Sequence, residues 1–360
     1  MNQGLEGVVA AETALSMVDG QRGELIIAGF PIEELAPNAT FEETVRILGV
    51  GEFLDGEREL APIAYEVLRA AAQRKDDPMD ALRAAAGVGS APLTTFPTIV
   101  SAYWRLSQGQ EPIRPRNDLS HAANYLYMLD GKVPSPERDR ALNTYLNTVV
   151  DHGLNASTFT ARVIISTGSD IVSAIVGAVG ALKGPLHGGA PGPALDMVFE
   201  IGDPTRAEEV LRRKIEAGER LMGFGHRVYK VRDPRADVLA SAAERLLGGD
   251  PLYELAKAVE KTALRLLEEY KPGRGLQTNV EFYTALLLHG LGLETPLFTP
   301  TFAISRVAGW IAHCLEQKRA NRLIRPQSVY VGPRGRKWAP HPDPLPASGE
   351  RELARNPRPA

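Results

Sequence analysis

Residues 142–149 read Leu-Asn-Thr-Tyr-Leu-Asn-Thr-Val. The apolar residues of this stretch stand at positions 0, 3, 4 and 7, and they are Leu142, Tyr145, Leu146 and Val149. This spacing puts them on one face of an α-helix, whereas a half-buried strand would alternate apolar and polar residues. The stretch therefore predicts a helix with one buried face that ends near Asp151.

Similar apolar stripes recur along the chain, at about residues 55–74, 93–108, 119–129, 204–216, 250–271 and 298–319. Clusters of Pro and Gly separate them, as is typical of short loops. Residues 13–28 differ, because two β-capable runs flank a Gly-containing turn there, which predicts a hairpin. We therefore predict an all-α, multi-helical fold with a short N-terminal β-hairpin as its only notable sheet.

The composition is that of an ordinary globular protein, with 44% hydrophobic and 24% charged residues. Only 6% of the residues are aromatic, and the many Ala and Leu residues favour closely packed helices over a β-sandwich. A chain of 360 residues is long enough for about two domains and a buried active site. The last twenty residues, 341–360, contain five prolines and no apolar periodicity, which predicts a disordered tail.

The charge balance limits the possible partners. Forty-one basic and 44 acidic residues give a net charge of −3, which argues against a general nucleic-acid or membrane-surface binder. Any anion site must therefore be local. No apolar run reaches the roughly 18 residues that span a bilayer. Cys314 is the single cysteine, so it cannot form an internal disulfide, and no signal-peptide pattern opens the chain. We therefore expect a cytoplasmic protein.

Three of the seven histidines stand in glycine-rich or helix-end settings, where catalytic groups are often displayed. They are His152, His187 and His226. Each could instead be a buried or capping histidine that serves the structure alone. A metal site is a further alternative, but the sequence contains neither a His-Glu-x-x-His nor a Cys-x-x-Cys motif, so no zinc site is predicted.

A glycine pair at 223–225 precedes a run of basic residues, which are Arg227, Lys230, Arg232 and Arg235. A lone Gly-x-Gly is weak evidence for a phosphate site, and a solvated basic face explains the run equally well. Asp233 and Pro234 read as the N-cap and first position of a helix. Arg235 would then project from a fixed first turn, which suits carboxylate recognition.

Residues 278–281, Thr-Asn-Val-Glu, match a capping box in which Glu281 returns to the amide of Thr278. That reading accounts for Glu281 without a functional role. The alternative is that Glu281 acts as a general base, kept ionised by the positive end of the helix dipole.

Short sequence motifs along the chain resemble those of citrate synthase over about residues 4–338. The strings that carry the resemblance are Gly4-Leu-Glu-Gly-Val, Ile32-Glu-Glu-Leu-Ala, Asp118-Leu-Ser-His-Ala-Ala-Asn, Asn155-Ala-Ser-Thr-Phe-Thr-Ala-Arg, Gly184-Pro-Leu-His-Gly-Gly-Ala, Gly223-Phe-Gly-His-Arg-Val-Tyr, Asp233-Pro-Arg-Ala, Asn279-Val-Glu-Phe-Tyr and Arg306-Val-Ala-Gly-Trp-Ile-Ala-His. Their order and spacing agree with the family throughout.

The resemblance implies an almost entirely helical homodimer with an active site in a cleft between two domains. The large domain would comprise residues 1–189 and 293–340, and the small domain residues 190–292. The family belongs to the tricarboxylic acid cycle and condenses acetyl-CoA with oxaloacetate and water to give citrate and CoA. It uses no metal and no redox cofactor, so oxaloacetate and the acyl-CoA are the implied partners.

The resemblance also implies residue roles. His187 would hydrogen-bond the thioester carbonyl oxygen, and His226 would polarise the ketone of oxaloacetate. Glu281 falls where the family has the aspartate that removes a methyl proton. The oxaloacetate-binding positions are occupied by His152, Arg235, Arg306 and Arg325. Of these, Arg325 matches an arginine that reaches into the neighbouring subunit's site. The candidates for CoA binding are Gly223, Phe224, Gly225, Lys230 and Arg232.

Three positions depart from the commonest family pattern. Glu281 replaces Asp, Gly153 replaces an acidic residue, and Pro191 replaces Asn. An extra methylene at the base shifts a carboxylate by about 1 Å, which can slow a reaction on the order of a hundredfold. The departures suggest a divergent branch of the family, and they leave open a 2-methylcitrate synthase that uses propionyl-CoA. A catalytically weak or silent homologue with a binding or regulatory role is the alternative of a different class, and the intact set of dicarboxylate-binding residues favours the enzyme.

Overall fold

A computed structural model describes Gly4, Leu5 and residues 7–89, 91–188, 191–226 and 228–335. The predicted tail, 341–360, lies outside the described residues, as does Arg227. The chain divides into a large unit that ends at Ile324 and a terminal unit that begins at Arg325. In its described part the terminal unit, up to Gly335, contains neither helix nor strand.

The described part of the large unit contains fifteen α-helices and three short strands. The strands are β1 (Ser16–Asp19), β2 (Glu24–Ile27) and β3 (Phe30–Pro31). The first helices are α1 (Ile32–Asn38), α2 (Phe41–Ile47), α3 (Pro62–Arg74), α4 (Pro78–Ala86), α5 (Pro92–Ser107), α6 (His121–Asp130), α7 (Pro136–Val149) and α8 (Ala156–Ser166). The others are α9 (Ile171–Leu182), α10 (Pro191–Ile201), α11 (Ala207–Glu216), α12 (Pro234–Leu247), α13 (Pro251–Tyr270), α14 (Val280–Gly290) and α15 (Phe298–Arg319). Short 3-10 turns occupy Gly51–Asp55, Pro204–Arg206 and Thr295–Leu297.

The all-α prediction is confirmed. The stripe at 142–149 lies in α7, which ends at Val149, and its apolar residues are buried. The stripe at 298–319 coincides with α15. Helix α3 begins at Pro62, later than the stripe at 55–74 predicts, because the first position of a helix needs no amide proton and so suits proline.

The predicted hairpin is confirmed as the antiparallel pair β1–β2, with Ser16 opposite Ile27 and Asp19 opposite Glu24. The sheet extends beyond the predicted hairpin, since β2 also pairs with β3 and places Ile26 opposite Pro31. A proline is tolerated there because β3 is an edge strand.

Helix α15 forms the centre of the core, and it is buried along most of its length. It packs against α5, α7, α8 and α9. The approach to the end of α7 is close, because a Cβ on Gly309 would overlap the carbonyl of Val150. Most of the buried residues of this helix are apolar, and Trp310 is its largest fully buried side chain. The close packing places Arg306 of α15 beside residues 149–151.

Helix α12 packs against α1, α7 and α14, and α14 also packs against α10. This layer brings the first turns of α12 and α14 together near the end of α7. None of the helices in the described ranges is both long and apolar enough to cross a membrane. The division into a domain of residues 1–189 and 293–340 and a domain of 190–292 stays a prediction.

Candidate active site

Four predicted site residues of the large unit stand at or just beyond helix ends. His152 and His187 follow α7 and α9, while Arg235 and Glu281 lie in the first turns of α12 and α14. Arg306 lies inside α15, and the other predicted residues, from Gly223 to Arg232, lie in the loop before α12. Helix ends expose amide and carbonyl groups that orient nearby side chains.

Asp233 is the N-cap of α12 and accepts a hydrogen bond from the amide of Arg235 at 3.0 Å. The guanidinium of Arg235 folds back onto the same carboxylate, with Nε donating to Oδ1 at 3.0 Å and Nη2 to Oδ2 at 2.8 Å. Both side chains are buried. The predicted first-turn arginine is therefore confirmed, and a solvated basic face is wrong for Arg235.

His226 has a defined tautomer. Its Nδ1 accepts hydrogen bonds from the amides of Val228 and Tyr229, both at 3.0 Å, so the ring proton resides on Nε2. Burial lowers the pKa of His226 to about 4, with Arg235 contributing in the same direction, and the ring is neutral at pH 7.

The Nε2 of His226 lies 3.4 Å from Nη2 of Arg235. Both atoms carry protons, because an arginine in a protein stays charged and donates only. Two donors cannot hydrogen-bond to each other, so a ligand atom that accepts hydrogen bonds is needed beside both of them. A ketone or carboxylate oxygen fits that requirement.

His152 is the third member of this group. Its ring centre lies 6.0 Å from that of His226, and its Nε2 lies 3.1 Å from the hydroxyl oxygen of Tyr229. Burial holds the pKa of His152 well below its usual value, and the positive charges of Arg235 and Arg306 act in the same direction. The ring is therefore neutral and surrounded by cations, as expected beside an anion site.

Arg306 completes the positive charge. Its Nε donates to the carbonyl of Val149 at 2.7 Å, and its guanidinium carbon lies 4.7 Å from the centre of the Phe302 ring. Burial lowers the pKa of Arg306 to about 10, which still leaves it charged at neutral pH. The buried charge of Asp151 favours the same charged form.

His187 lies in the turn after α9, with its ring centre 6.5 Å from that of Phe302. The amide of Ser157 points at His187 Nε2 from 3.4 Å, and the Ser157 hydroxyl oxygen lies 2.8 Å from the same atom. An amide can only donate, so Nε2 is the acceptor and Nδ1 carries the proton. Burial lowers the pKa of His187 to about 4. His187 thus presents a neutral Nδ1–H donor.

The predicted capping box at Glu281 is wrong. Asn279 is the N-cap of α14 and accepts from the Glu281 amide at 3.0 Å. Thr278 pairs instead with Phe224 in an isolated β-bridge, and its hydroxyl donates to Glu260 at 2.6 Å. The helix therefore begins one residue later than the motif suggested, because tertiary contacts hold Thr278 in an extended conformation.

The expectation that the helix dipole keeps Glu281 ionised is also wrong. Burial raises the pKa of Glu281 to about 7, a change that Asp233 reinforces and that Arg235 and Arg220 oppose. Desolvation therefore outweighs the positive charges nearby. A carboxylate with this pKa is a stronger base than an ordinary glutamate.

The glycine segment lies directly beside the start of α14. The carbonyl of Gly223 accepts from the amide of Asn279 at 3.0 Å, and the amide of Gly225 donates to the carbonyl of Gln277 at 2.7 Å. Both glycines adopt positive φ angles, +88° and +80°. The ring centre of Phe224 lies 5.4 Å from that of Phe282, with the two ring planes tilted by 53°. The backbone of 223–225 is therefore fixed near Glu281.

The other CoA candidates lie in the following loop. Arg232 forms ion pairs with Asp237 and, at 2.9 Å, with Glu260, so a phosphate would compete with two carboxylates for it. The amide of Lys230 donates to the carbonyl of Gly20 at 2.8 Å. Arg325 is exposed in the terminal unit. The roles of these three residues stay predictions.

The structure adds residues that sequence reasoning missed. Ser157 and Tyr229 lie inside two of the quoted strings but bear no pattern that singles them out. His313 donates through Nε2 to buried Asp151 at 3.2 Å and accepts at Nδ1 from Arg162 at 3.0 Å. This buried network supports the chain on either side of His152. Only tertiary structure brings its members together.

Two departures from the family pattern have a local explanation. Gly153 has a φ of +59°, a conformation that strains residues with a side chain, and its amide donates to the Ser16 hydroxyl at 3.0 Å. Pro191 is the first residue of α10, the helix position that best accepts proline. Across the described residues, no group of three or more His, Cys, Asp or Glu residues is arranged to hold a metal ion.

Comparison with known proteins gives consistent matches. A family model described as the C-terminal domain of citrate synthase matches residues 4–327. Citrate synthase 2 of Bacillus subtilis is 40% identical, over 94% of this chain and 98% of its own. The citrate synthase of Haloferax volcanii is 37% identical over the same shares.

Solved structures agree. The crystal structure of citrate synthase from Pyrobaculum aerophilum matches with a TM-score of 0.86 at 37% identity and covers 94% of each chain. The ternary complex of carboxymethyl coenzyme A and oxaloacetate with citrate synthase from Thermoplasma acidophilum has a TM-score of 0.85 at 31% identity, over 94% of this chain and 98% of that one. The chain therefore belongs to the citrate synthase family, as an acyltransferase of the citrate synthase type.

Proposed function

We propose that this chain condenses acetyl-CoA with oxaloacetate and water to give citrate and CoA. The observation that carries the proposal is the pair of donors at 3.4 Å, His226 Nε2–H and Arg235 Nη2, which require an acceptor oxygen between them. His152 and Arg306 add a neutral ring and a second buried guanidinium. A ligand with two carboxylates and one ketone matches this set of donors.

In this reaction Glu281 removes a proton from the methyl group of acetyl-CoA. A carboxyl with a pKa of about 7 is better matched to this task at neutral pH than an ordinary glutamate. The thioester oxygen then develops negative charge, and the Nδ1–H of His187 stabilises it. A neutral donor held by Ser157 needs no reorganisation when that charge appears.

The enolate carbon then forms a bond with the ketone carbon of oxaloacetate. The ketone oxygen gains a negative charge, which the Nε2–H of His226 stabilises by hydrogen bonding. That oxygen then takes up one proton, which balances the proton that Glu281 removed, and becomes the hydroxyl of the citryl-CoA intermediate. Water next attacks the thioester of the intermediate, the carbon–sulfur bond breaks, and CoA leaves. Of the two protons of that water, one is taken up by the departing CoA sulfur and one is released, so the steps balance with these reactants and require no redox group.

The rest of the assembly follows from the family resemblance. CoA would lie along Gly223, Phe224 and Gly225, with Lys230 and Arg232 near its phosphates. Two subunits would form a homodimer in which Arg325 enters the neighbouring site. Residues 190–292 would form a small domain that closes over the substrates, which keeps water away until the new bond exists. We also propose that the enzyme works in the cytoplasm.

Steady-state assays of CoA release test the proposal. We expect turnover with oxaloacetate and acetyl-CoA, and a much lower kcat in His187→Ala and Glu281→Ala, since both residues act on the reacting atoms. Higher kcat/KM with propionyl-CoA would instead assign a 2-methylcitrate synthase. If neither thioester released CoA while oxaloacetate still bound, the chain would be a silent binding homologue.

A further inference from the structure

Tyr229 lies between the two histidines of the oxaloacetate group, and only 2% of it is exposed. Its ring centre is 4.9 Å from that of His226 and 5.6 Å from that of His152. The guanidinium carbon of Arg235 lies 5.7 Å from the centre of the same ring. One residue therefore contacts three of the groups that the proposed function assigns to oxaloacetate.

The two polar ends of Tyr229 serve different histidines. Its amide donates to Nδ1 of His226 at 3.0 Å, which helps to keep the proton of that ring on Nε2. Its hydroxyl oxygen lies 3.1 Å from Nε2 of His152. The backbone and side chain of Tyr229 thus hold the two rings in fixed relation to each other.

The direction of the bond to His152 follows from acid and base strength. A phenol is a stronger acid than a neutral imidazole N–H, and an imidazole nitrogen is a stronger base than a phenol oxygen. Burial raises the pKa of the Tyr229 hydroxyl, so it keeps its proton. The pKa of His152 is held well below its usual value, so its ring is neutral and has one free lone pair to accept with.

We propose that Tyr229 is a positioning residue for oxaloacetate: its hydroxyl donates to Nε2 of His152 and fixes the proton of that ring on Nδ1. Each of the two histidines would then meet the ligand with one defined donor, Nδ1–H on His152 and Nε2–H on His226. Without the hydroxyl, the His152 ring could turn and exchange tautomers. In a fraction of the molecules a ring nitrogen without a proton would then face the oxaloacetate anion.

The first measurement needs no ligand. In protein labelled with ¹⁵N-histidine, we expect the His152 ring to carry its proton on Nδ1, with the resonance assigned by its loss in His152→Gln. In Tyr229→Phe, which keeps the ring and loses the hydroxyl, the two nitrogens should shift towards a mixture of tautomers. The matched control is Tyr125→Phe, which removes a buried hydroxyl bonded to Thr301 at 2.9 Å and should leave His152 unchanged.

The second measurement rests on the proposed function. Loss of one hydrogen bond that orients a ligand group should raise the KM for oxaloacetate about tenfold in Tyr229→Phe, with kcat changed less than about threefold. The Tyr125→Phe control should keep both constants.

A His152 proton on Nε2 in the unaltered protein, or an unchanged KM in Tyr229→Phe, would overturn the positioning role. Failure of the unaltered protein to bind oxaloacetate would overturn the proposed function instead. The tautomer measurement distinguishes the two failures because it requires no substrate.

Discussion

Glu281 shows how a single side chain depends on its surroundings, since burial raises its pKa to about 7 in spite of two nearby arginines. Only the ionised form accepts a proton, so kcat should rise with pH and level off above about pH 7. The histidines contribute no titration there, because the pKa values of His187 and His226 are lowered to about 4. A pH profile of kcat between about pH 5 and 9 measures this, and a profile that is flat across neutrality would contradict it.

The same carboxyl should cost stability at high pH. The folded state binds its proton more tightly than the unfolded chain, whose glutamate has an ordinary pKa near 4.5, so folding is favoured below that value and loses stability as pH rises through about 7. Glu281→Gln removes the buried charge. At about pH 8 the free energy of unfolding of the variant should therefore exceed that of the unaltered protein by on the order of 2 kcal/mol. This difference should become smaller towards pH 5.

Urea unfolding at several pH values measures that difference, and kcat of Glu281→Gln should fall at least about a hundredfold. Gain of stability with loss of activity is what a buried base predicts. A variant that is equally stable at every pH would show that Glu281 is not desolvated.

Arg235 and Asp233 form a buried pair, and each depends on the other's charge. Arg235→Gln should destabilise the protein by about 3–5 kcal/mol because the carboxylate is left buried and uncompensated. Adding Asp233→Asn should recover most of that stability without recovering oxaloacetate affinity. Thermal unfolding and the KM for oxaloacetate separate the two effects. Recovery of both in the double variant would mean that Arg235 acts only through its partner.

At the level of elements, Glu260 of α13 anchors the start of α14. Its two oxygens accept from the hydroxyls of Thr278 and Tyr283, both at 2.6 Å, and from Arg232 at 2.9 Å. This carboxylate therefore joins α13, the loop before α12, and the junction that carries Glu281. A carboxylate on a different helix therefore helps to position the candidate base.

Glu260→Gln should loosen that junction. A shift of about 1 Å at a catalytic group can cost up to roughly a hundredfold, so we expect kcat to fall about tenfold or more while the KM for oxaloacetate changes little. Glu268→Gln is the matched control on the same helix, since Glu268 is exposed and, among the described residues, accepts one hydrogen bond, from the amide of Gly273. Equal kcat values for the two variants would show that the anchor is dispensable.

The β1–β2 turn touches the loop after His226. A Cβ on Gly20 would overlap the carbonyl of Val228, and the carbonyl of Gly20 accepts from the amide of Lys230 at 2.8 Å. Gly20→Ala should push the loop away, lowering stability by about 1–3 kcal/mol and raising the KM for oxaloacetate. Gly180→Ala is the control, because that added Cβ would only reach Arg83 at an ordinary 3.8 Å. Both variants can be compared by thermal unfolding and steady-state kinetics.

Short stretches of sequence predicted a helix correctly where they carried one clear signal, such as an apolar face or a capping residue. The apolar face of α7 and the Asp233–Pro234 start of α12 are of this kind. The start of α14 was predicted incorrectly, because Thr278 forms a β-bridge with Phe224 instead of the helix cap that its sequence suggests. The pKa of Glu281 and the contacts of Tyr229 arise from packing between distant segments, which no short window of sequence contains.

On the scale of the whole molecule, the packing of α7, α12, α14 and α15 brings segments far apart in sequence to one cluster of donors. The candidate base Glu281 lies on the first turn of α14 and Arg235 on that of α12, while His226 lies in the loop before α12. If residues 190–292 move as a domain, then His226, Arg235 and Glu281 move together, while His152, His187 and Arg306 stay with the other domain. Tyr229 would belong to the first group, so its 3.1 Å contact with His152 joins the two groups across the domain boundary.

The proposed homodimer predicts that two inactive variants can restore activity when they assemble together. If Arg325 completes the neighbouring site, then Arg325→Ala and His226→Ala damage different parts of each site in a dimer. In a mixed dimer one site would combine an intact His226 with an intact Arg325 from the other subunit, and the second site would carry both substitutions. Each variant alone should be nearly inactive.

Random reassembly of equal amounts of the two variants yields mixed dimers as about half of the population, with one intact site in each, so activity should recover to roughly a quarter of the unaltered protein's value. Denaturing and refolding the variants together, then measuring CoA release, tests this against each variant refolded alone. If Arg325 served its own subunit's site, every site in the mixture would carry one defect. Activity would then stay at the level of the separate variants.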